Sequence, residues 1–523
     1  MKTGEHPMST TTAPLLDLPD AALARAQLLL ERAQWAAAGL VRLDHAAVAA
    51  IVTAVAKAGF AKAGHYADWA VRETGYGVAA HKRLKNEICS QGILAEYGDI
   101  DYVSPRIDEA RKMIELPRPA GVILGLTPVT NPVATLYFKV LLALMTRNAI
   151  VISPHPGARE CSVDAVNLLA EAAIRAGAPK GSVQVVAEPS IPLVHALMSD
   201  SRIDLIAATG GPAVVKAAYR SGNPAYGVGP GNAPVLVDGT TDAALTAQRI
   251  VDSKSFDNSV LCTNESTMVI LAAAAARMRT ALTAAGAHLC TPEQVVKLRA
   301  YLFPHGTFNV AALGKSAEWI AREAGLGAIT ARILVAAVDR SHPEEPLARE
   351  KLCPVLAMVV VDTLDDAFVA ARSTMRAGGR GHSAAIHSDD PDAVLRFAAA
   401  VPALRIVVNA GCSQGAAGLD THLGPSMTIG TGFAGGSSIG ENLRPEHFLN
   451  FARVAYHKAE SEAFPRLTPQ RVSDAVTSRK VPTSGQPPEG NAAHANMPAF
   501  DDVELRRELR RIILEELQAA LAA

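Results

Sequence analysis

The run PAGVILGLTPVTNPVATLYFKVLLALMTRNAIVI, from Pro119 to Ile152, decides the fold. Pro119 to Thr127 reads as a buried strand and Pro128 to Pro132 as a loop. Val133 to Met145 reads as a helix, and Ala149 to Ile152 as a second strand. Strand, helix and strand in about 35 residues make a β-α-β unit and so a parallel sheet. The run is apolar enough to raise the question of a membrane span. Asn131, Lys139 and the prolines interrupt it, and no uninterrupted apolar segment of about 18 residues is present.

Toward the C-terminus the alternation continues. Helical stretches are expected from Cys161 to Ala176, Leu193 to Met198 and Pro212 to Ala218, with strands at Val183 to Val186 and Leu205 to Ala208. This is the pattern of a doubly wound α/β sheet of the dinucleotide-binding kind. Thr209-Gly210-Gly211 falls between a strand and a helix start, where bare backbone N–H groups can approach a pyrophosphate. It is not the G-x-G-x-x-G fingerprint, and a tight turn with no ligand fits it equally well. A second glycine cluster, Gly227 to Pro234, precedes a strand at Val235 to Val237. Toward the N-terminus, Asp20 to Gly77 is Ala-rich with helical periodicity and reads as two or three amphipathic helices. The next helical stretch carries Lys82, Arg83 and Lys85, a phosphate patch or, the preferred reading, a solvated face.

A second stretch, SKSFDNSVLCTNESTMVI from Ser253 to Ile270, places Cys262 in a turn-prone segment ahead of an apolar strand. A free cysteine is commonly a small buried hydrophobe. Here Asn258, Thr263 and Asn264 are poor core company but good donors for a thiolate or an oxyanion. Past it, helices are expected at Ala272 to Ala284, Pro292 to Leu302, Leu364 to Arg376 and Ala393 to Ala400. Strands are expected at Pro354 to Val361, Ala384 to Ile386 and Arg405 to Val408, a second α/β domain. Asn409 to Gly440 is a long Gly/Ser-rich stretch of the kind that carries function.

The 523 residues exceed one core and divide into domains. Fifty basic against 51 acidic side chains give no footprint for nucleic acid or an anionic membrane. None of the six cysteines forms a C-x-x-C pair, so neither a metal site nor a redox dithiol is expected, and a reducing, cytoplasmic setting is. Residues 1–19 read as a disordered N-terminus, 20–238 as a nucleotide-binding domain with N-terminal helices, and 239–420 as the cysteine domain. Residues 421–460 read as a return segment, 461–499 as a flexible linker rich in Pro, Gly, Ser and Thr, and 500–523 as a tethered amphipathic helix.

Eight segments together resemble the aldehyde dehydrogenase superfamily, in its CoA-acylating branch, over Leu23 to Tyr456. They are TPVTNP (Thr127 to Pro132), SPHP (Ser153 to Pro156), ATGGPAVVKAA (Ala208 to Ala218), GVGPGNAP (Gly227 to Pro234), SFDNSVLC (Ser255 to Cys262), EKLCPVLAM (Glu350 to Met358), GGRGHSAAIHS (Gly378 to Ser388) and PSMTIGTG (Pro425 to Gly432). The resemblance implies two doubly wound domains, one binding NAD and one catalytic, with an oligomerisation extension and a homodimer or homotetramer. It implies Cys262 as the nucleophile toward a small aldehyde, and Asn131 with the Cys262 N–H as the oxyanion hole. NAD, favoured over NADP, is expected at Thr127, Pro128, His155, Pro156, Thr209, Gly210, Gly211, Val214, Gly229 and Glu350. His382 is the implied partner of an incoming thiol.

Members that hydrolyse their thioester carry a glutamate to activate water; with the following proline set on Pro234, that position is Val228. Valine abstracts no proton, so the thioester waits for a thiol such as coenzyme A, the implied co-substrate. The tail resembles encapsulation peptides, which implies a shell-protein partner through residues 500–523 and a bacterial microcompartment. The competing readings are a hydrolytic aldehyde or semialdehyde dehydrogenase and a catalytically silent scaffold.

Overall fold

A computed structural model describes residues 19–459, 461 and 463–477. The expectations for residues 1–18, for 478–499 of the linker and for the tail 500–523 lie outside the described residues.

The run from Pro119 to Ile152 folds as strand, helix and strand, but its first strand is shorter than expected, because Pro119 ends a separate antiparallel strand, Met113–Pro119. Val122–Leu126 is a strand with every residue buried, and Pro132–Met145 is a helix with every residue buried. A helix enclosed on all sides has no reason to alternate polar with apolar, which explains its unbroken hydrophobicity. Pro132 occupies the first helical turn, where its missing N–H costs nothing. The sheet built on this unit has five parallel strands, in the order Val183–Val185, Ala149–Ser153, Val122–Leu126, Leu205–Thr209, Ala225–Val228. The strand order reverses between Val122–Leu126 and Leu205–Thr209. Their carboxyl ends, at Thr127 and Thr209, therefore open the crevice where such sheets take ligands. Beneath that crevice the buried Lys139 donates to the carbonyls of Leu126 (2.6 Å) and Ala207 (2.7 Å), tying the two central strands together.

The second sheet has seven parallel strands: Ala287–Leu289, Ile333–Ala337, Val355–Val361, Glu265–Leu271, Ala233–Val237, Gly381–His387 and Ala403–Val408. Two α/β sheets are thus present, as expected, but the boundary at 238 is corrected. Ala233–Val237 pairs with Glu265–Leu271 and Gly381–His387, so the chain has crossed to the second sheet before that point. The crossing uses Gly229 to Gly231, and at Gly231 the backbone passes close to the backbone of Cys262. A third, antiparallel sheet was not foreseen: Arg106–Asp108, Met113–Pro119 and Leu449–Ala455. It brings the return segment back beside the first sheet.

The N-terminal helices are three, Pro19–Leu40, His45–Ala61 and Ala63–Thr74. The linker reading is corrected at its start, because Pro469–Thr477 is helical. Among the described residues no single helix is long and apolar enough to cross a membrane.

Candidate active site

Cys262 stands just ahead of the strand Glu265–Leu271, at the amino end of the second sheet. The chain reaches it through three consecutive left-handed residues, Asp257 (φ 50°), Asn258 (φ 50°) and Ser259 (φ 64°). Non-glycine residues held there cost about 1–3 kcal/mol each and persist only where the surroundings over-determine them. They are over-determined here. Asp257 accepts from the Val78 N–H (2.6 Å) and from Lys82 (3.1 Å) and Lys85. Asn258 donates to the Gly314 carbonyl (2.9 Å), and Thr263 donates to the Ser413 carbonyl (2.7 Å). Asn264 accepts from the Leu261 N–H (3.0 Å) and donates to the Ser253 carbonyl (2.7 Å).

Two expectations are corrected by this arrangement. Asn258 and Asn264 donate to backbone carbonyls and are not among the residues lining the cavity beside Cys262, so they shape the cysteine turn; the Thr263 hydroxyl also donates to a backbone carbonyl, although Thr263 does line the cavity. Lys82 and Lys85 do not lie on a solvated face; both are buried, 3% and 1% exposed. The helix Ala79–Glu87 turns this i, i+3 pair inward because Asp257 supplies the countercharge. Their neighbour Arg83 does face outward and pairs with Glu87.

A cavity of about 660 Å³ lies between the carboxyl end of the first sheet and the amino end of the second. Its wall includes every expected site residue except His382: Thr127, Pro128, Asn131, His155, Pro156, Thr209, Gly210, Gly211, Val214, Gly229, Cys262 and Glu350. Val228, 3% exposed, is in the same wall, and Ser426, Met427 and Ile429 of the Gly/Ser-rich segment close one side. That segment is pinned by the buried Arg405, which donates to the carbonyls of Gly381 (2.7 Å), His382, Gly430 and Gly440. His382 lies within the strand Gly381–His387, fully buried, with Nδ1 on the Ser383 hydroxyl (2.9 Å) and Nε2 without a partner. Burial and Arg405 push its pKa down to about 3, so it is neutral at physiological pH.

Burial, reinforced by the carboxylate of Glu350, pushes the Cys262 thiol up to about 12; Arg405 and Lys85 pull the other way. Burial also raises Glu350, to about 8, while its Oε1 accepts from the Gly231 N–H (3.0 Å). Asn131 turns its amide nitrogen to the Val260 carbonyl (3.0 Å) and its oxygen to Lys85. Lys85, Lys82 and Asp257 are functional candidates that the sequence reading missed. The lysines were legible only as a phosphate patch or a solvated face and the aspartate only as part of SFDN, and nothing in the chain says that they meet.

The site has the features a dinucleotide needs. Gly211 starts the helix Pro212–Arg220 with no side-chain cap, leaving its first N–H groups bare. A β-carbon at Gly211 or Gly229 would meet no neighbouring atom, so ligand backbone contact is open there. The Thr127 hydroxyl, in the cavity wall, is buried and without a partner. Among the described residues no cluster of His, Cys, Asp or Glu is arranged to hold a metal ion.

A cysteine-bearing loop set against the switch point of a doubly wound sheet brings a thiol to the edge of a crevice of the kind that takes a dinucleotide. Comparison with known proteins gives the family. The family model described as "Aldehyde dehydrogenase family" matches residues 5–294. An aldehyde-alcohol dehydrogenase of Clostridium acetobutylicum is 38% identical over 393 residues, covering 74% of this chain and 45% of that protein. The chain spans about half the length of such two-function relatives. A succinate-semialdehyde dehydrogenase (acetylating) of Clostridium kluyveri is 34% identical over 437 residues, 83% of this chain and 96% of that one. Among solved structures, an acetylating aldehyde dehydrogenase from Geobacillus thermoglucosidasius has a TM-score of 0.83 at 35% identity, covering 86% of this chain and 100% of that one. A Rhodopseudomonas palustris propionaldehyde dehydrogenase with bound CoA and an acylated cysteine has a TM-score of 0.74 at 28% identity, covering 82% and 97%. The chain belongs to the aldehyde dehydrogenase family, and its similarity runs to acylating members of it.

Proposed function

We propose that this chain oxidises a short aldehyde to an acyl thioester on Cys262 and hands the acyl group to coenzyme A, with NAD as oxidant. The observation that carries the reading is one cavity wall holding Cys262, Asn131 and Val228 together. The Cys262 sulfur adds to the carbonyl carbon and its thiol proton is lost to solvent. The amide of Asn131 and the N–H of Cys262 take the negative oxygen of the thiohemiacetal. NAD, held along Thr127, Pro128, His155, Pro156, Thr209 to Gly211, Val214, Gly229 and Glu350, supplies the hydride acceptor when bound. Collapse of the thiohemiacetal leaves the thioester on Cys262. Val228 offers no base to water. The sulfur of CoA attacks the thioester, and Cys262 leaves as the thiolate. The sum is aldehyde, NAD⁺ and CoA to acyl-CoA, NADH and a proton. His382, neutral and outside the residues lining the cavity, has no contact there through which to act on the incoming thiol, so it takes no step.

The residues lining the cavity include no Lys or Arg, and Glu350 is their only carboxylate. This favours a neutral aldehyde over a dicarboxylic semialdehyde or a sulfonate. NADH formation from acetaldehyde, propionaldehyde, succinate semialdehyde and sulfoacetaldehyde, with and without CoA, tests the reading. CoA-dependent turnover of the neutral pair is expected; undiminished turnover without CoA would establish the hydrolytic alternative, and no NADH at all the silent scaffold.

The finer part of the proposal is confinement in a microcompartment. It rests on the spacing of Leu505, Leu509, Ile512, Ile513, Leu517 and Leu521 beyond a polar linker, and on similarity to a propionaldehyde dehydrogenase of a fucose-utilisation microcompartment at 29% identity. Fusing residues Pro487 to Ala523 to a fluorescent protein tests it, a diffuse signal in shell-forming cells counting against it. A homodimer or homotetramer is part of the same proposal, checked by sedimentation.

A further inference from the structure

Behind Asn131, on the side away from the cavity, lies a closed charge cluster. Lys85 donates to Asn131 Oδ1 and to Asp257 Oδ2. Lys82 donates to the same carboxylate oxygen (3.1 Å) and to the carbonyl of Thr130 (2.7 Å), one residue before Asn131. All three charged side chains are buried, the lysines at 3% and 1% exposure and Asp257 at 0%. Burial opposes ionisation of Asp257, but the two lysines more than offset it and hold the carboxyl below its ordinary value. Burial pushes Lys85 down to about 8 against the pull of Asp257, which leaves it mostly charged at neutral pH. Two cations and one anion thus leave a net positive charge sealed against the back of Asn131.

A side-chain amide has two ends of similar shape and opposite polarity. A donor partner on Oδ1 and acceptor partners on Nδ2 together fix which end points where, and Asn131 has both: Lys85 on its oxygen, the Val260 carbonyl (3.0 Å) and the Thr130 hydroxyl (3.3 Å) on its nitrogen. Lys85 is the one charged partner among them, and Asn131 and Val260 both line the cavity. A charge-assisted bond to the carbonyl end also draws electron density out of the amide and strengthens its N–H as a donor. The same ammonium pulls the Cys262 thiol downward, the smallest of the influences on it.

We propose that Lys85 is the positioning residue of the oxyanion site: through its bond to Asn131 Oδ1 it fixes the amide nitrogen toward the substrate oxygen and adds positive charge behind it. Asp257, itself held by Lys82, holds Lys85 in place and ties the device to the left-handed turn that presents Cys262. The inference rests on the proposed role of Asn131 and Cys262 in aldehyde oxidation.

The test is a double-mutant cycle on the full chain, comparing wild type, Lys85→Met, Asn131→Ala and the double variant. The readouts are the rate of the first NADH turnover with acetaldehyde in the absence of CoA, and NAD affinity by fluorescence quenching. Losing one oxyanion donor typically slows the reaction by about 10²–10³. Lys85→Met is expected to fall into that range, with the double variant within about twofold of Asn131→Ala and NAD affinity changed by less than about twofold. Losses that multiply, or a loss of NAD affinity that matches the loss of rate, would overturn the proposal and leave Lys85 a packing residue. Asn131→Ala at the wild-type rate would instead overturn the mechanism beneath it. Should Lys85→Met not accumulate as folded protein, Lys85→Gln carries the same cycle: a shared loss supports the proposal and multiplied losses overturn it.

Discussion

The backbone of Gly231 lies directly against the carbonyl of Cys262: a β-carbon on residue 231 would stand 1.7 Å from that oxygen and 2.8 Å from its carbon. The glycine is there because the crossing strand and the cysteine turn occupy the same space, and because its N–H holds Glu350. Gly231→Ala must push the Cys262 peptide aside. A displacement of about 1 Å at a reacting centre can cost about 10² in rate. The variant is expected to lose that much first-turnover NADH while its circular dichroism stays that of the wild type.

Val228 is buried in the cavity wall immediately before the crossing. Val228→Glu places a base where the wild type has none. The expected outcome is turnover without CoA, raised up to about 10²-fold over the wild-type background by general-base attack of water. Carboxylic acid release, followed by chromatography, measures it.

The Cys262 thiol is pushed up to about 12 by burial and by Glu350. Without cofactor it is protonated at neutral pH, and its thiolate fraction rises about tenfold per pH unit. Alkylation of Cys262 by iodoacetamide is therefore expected to accelerate from pH 7 to pH 10 with no plateau near the ordinary thiol value of 9.0. Mass spectrometry of the Cys262 peptide reads the rate, and a plateau below pH 9 would contradict this electrostatic picture.

Glu350 keeps its proton to about pH 8, whereas the unfolded chain releases it near 4.5. The folded state binds more protons between those values, so this group's contribution to stability falls as pH rises through that window. Glu350→Gln keeps an acceptor for the Gly231 N–H and has nothing to titrate. The Tm of the variant relative to wild type is expected to climb from pH 5 to pH 8 and then level off in a thermal-shift series.

Much of this was legible in the chain. Apolar runs located the strand Val122–Leu126 within the expected Pro119 to Thr127 and the helix Pro132–Met145 to within one residue, because both are wholly buried, and helical spacing located Ala272–Ala284. The motifs named the cavity wall because glycines and prolines mark where backbone meets ligand or backbone. Sequence could not assign Ala233–Val237 to the second sheet, since a buried parallel strand looks the same in either. Nor could it pair Lys85 with Asp257, 172 positions away. A buried lysine and a solvated one read alike until the countercharge is located. Asn258, Thr263 and Asn264 misled for a related reason: a polar residue near a nucleophile serves the turn as readily as the substrate.

The central claim is that Cys262 carries an acyl group that water does not remove. Intact-mass spectrometry after mixing enzyme, NAD and propionaldehyde without CoA tests it most directly. The account predicts one NADH per active site, an added propionyl mass mapping to Cys262, and loss of that mass with appearance of propionyl-CoA when CoA is added. Continuous NADH production with an unmodified Cys262, or the added mass on another residue, would contradict it.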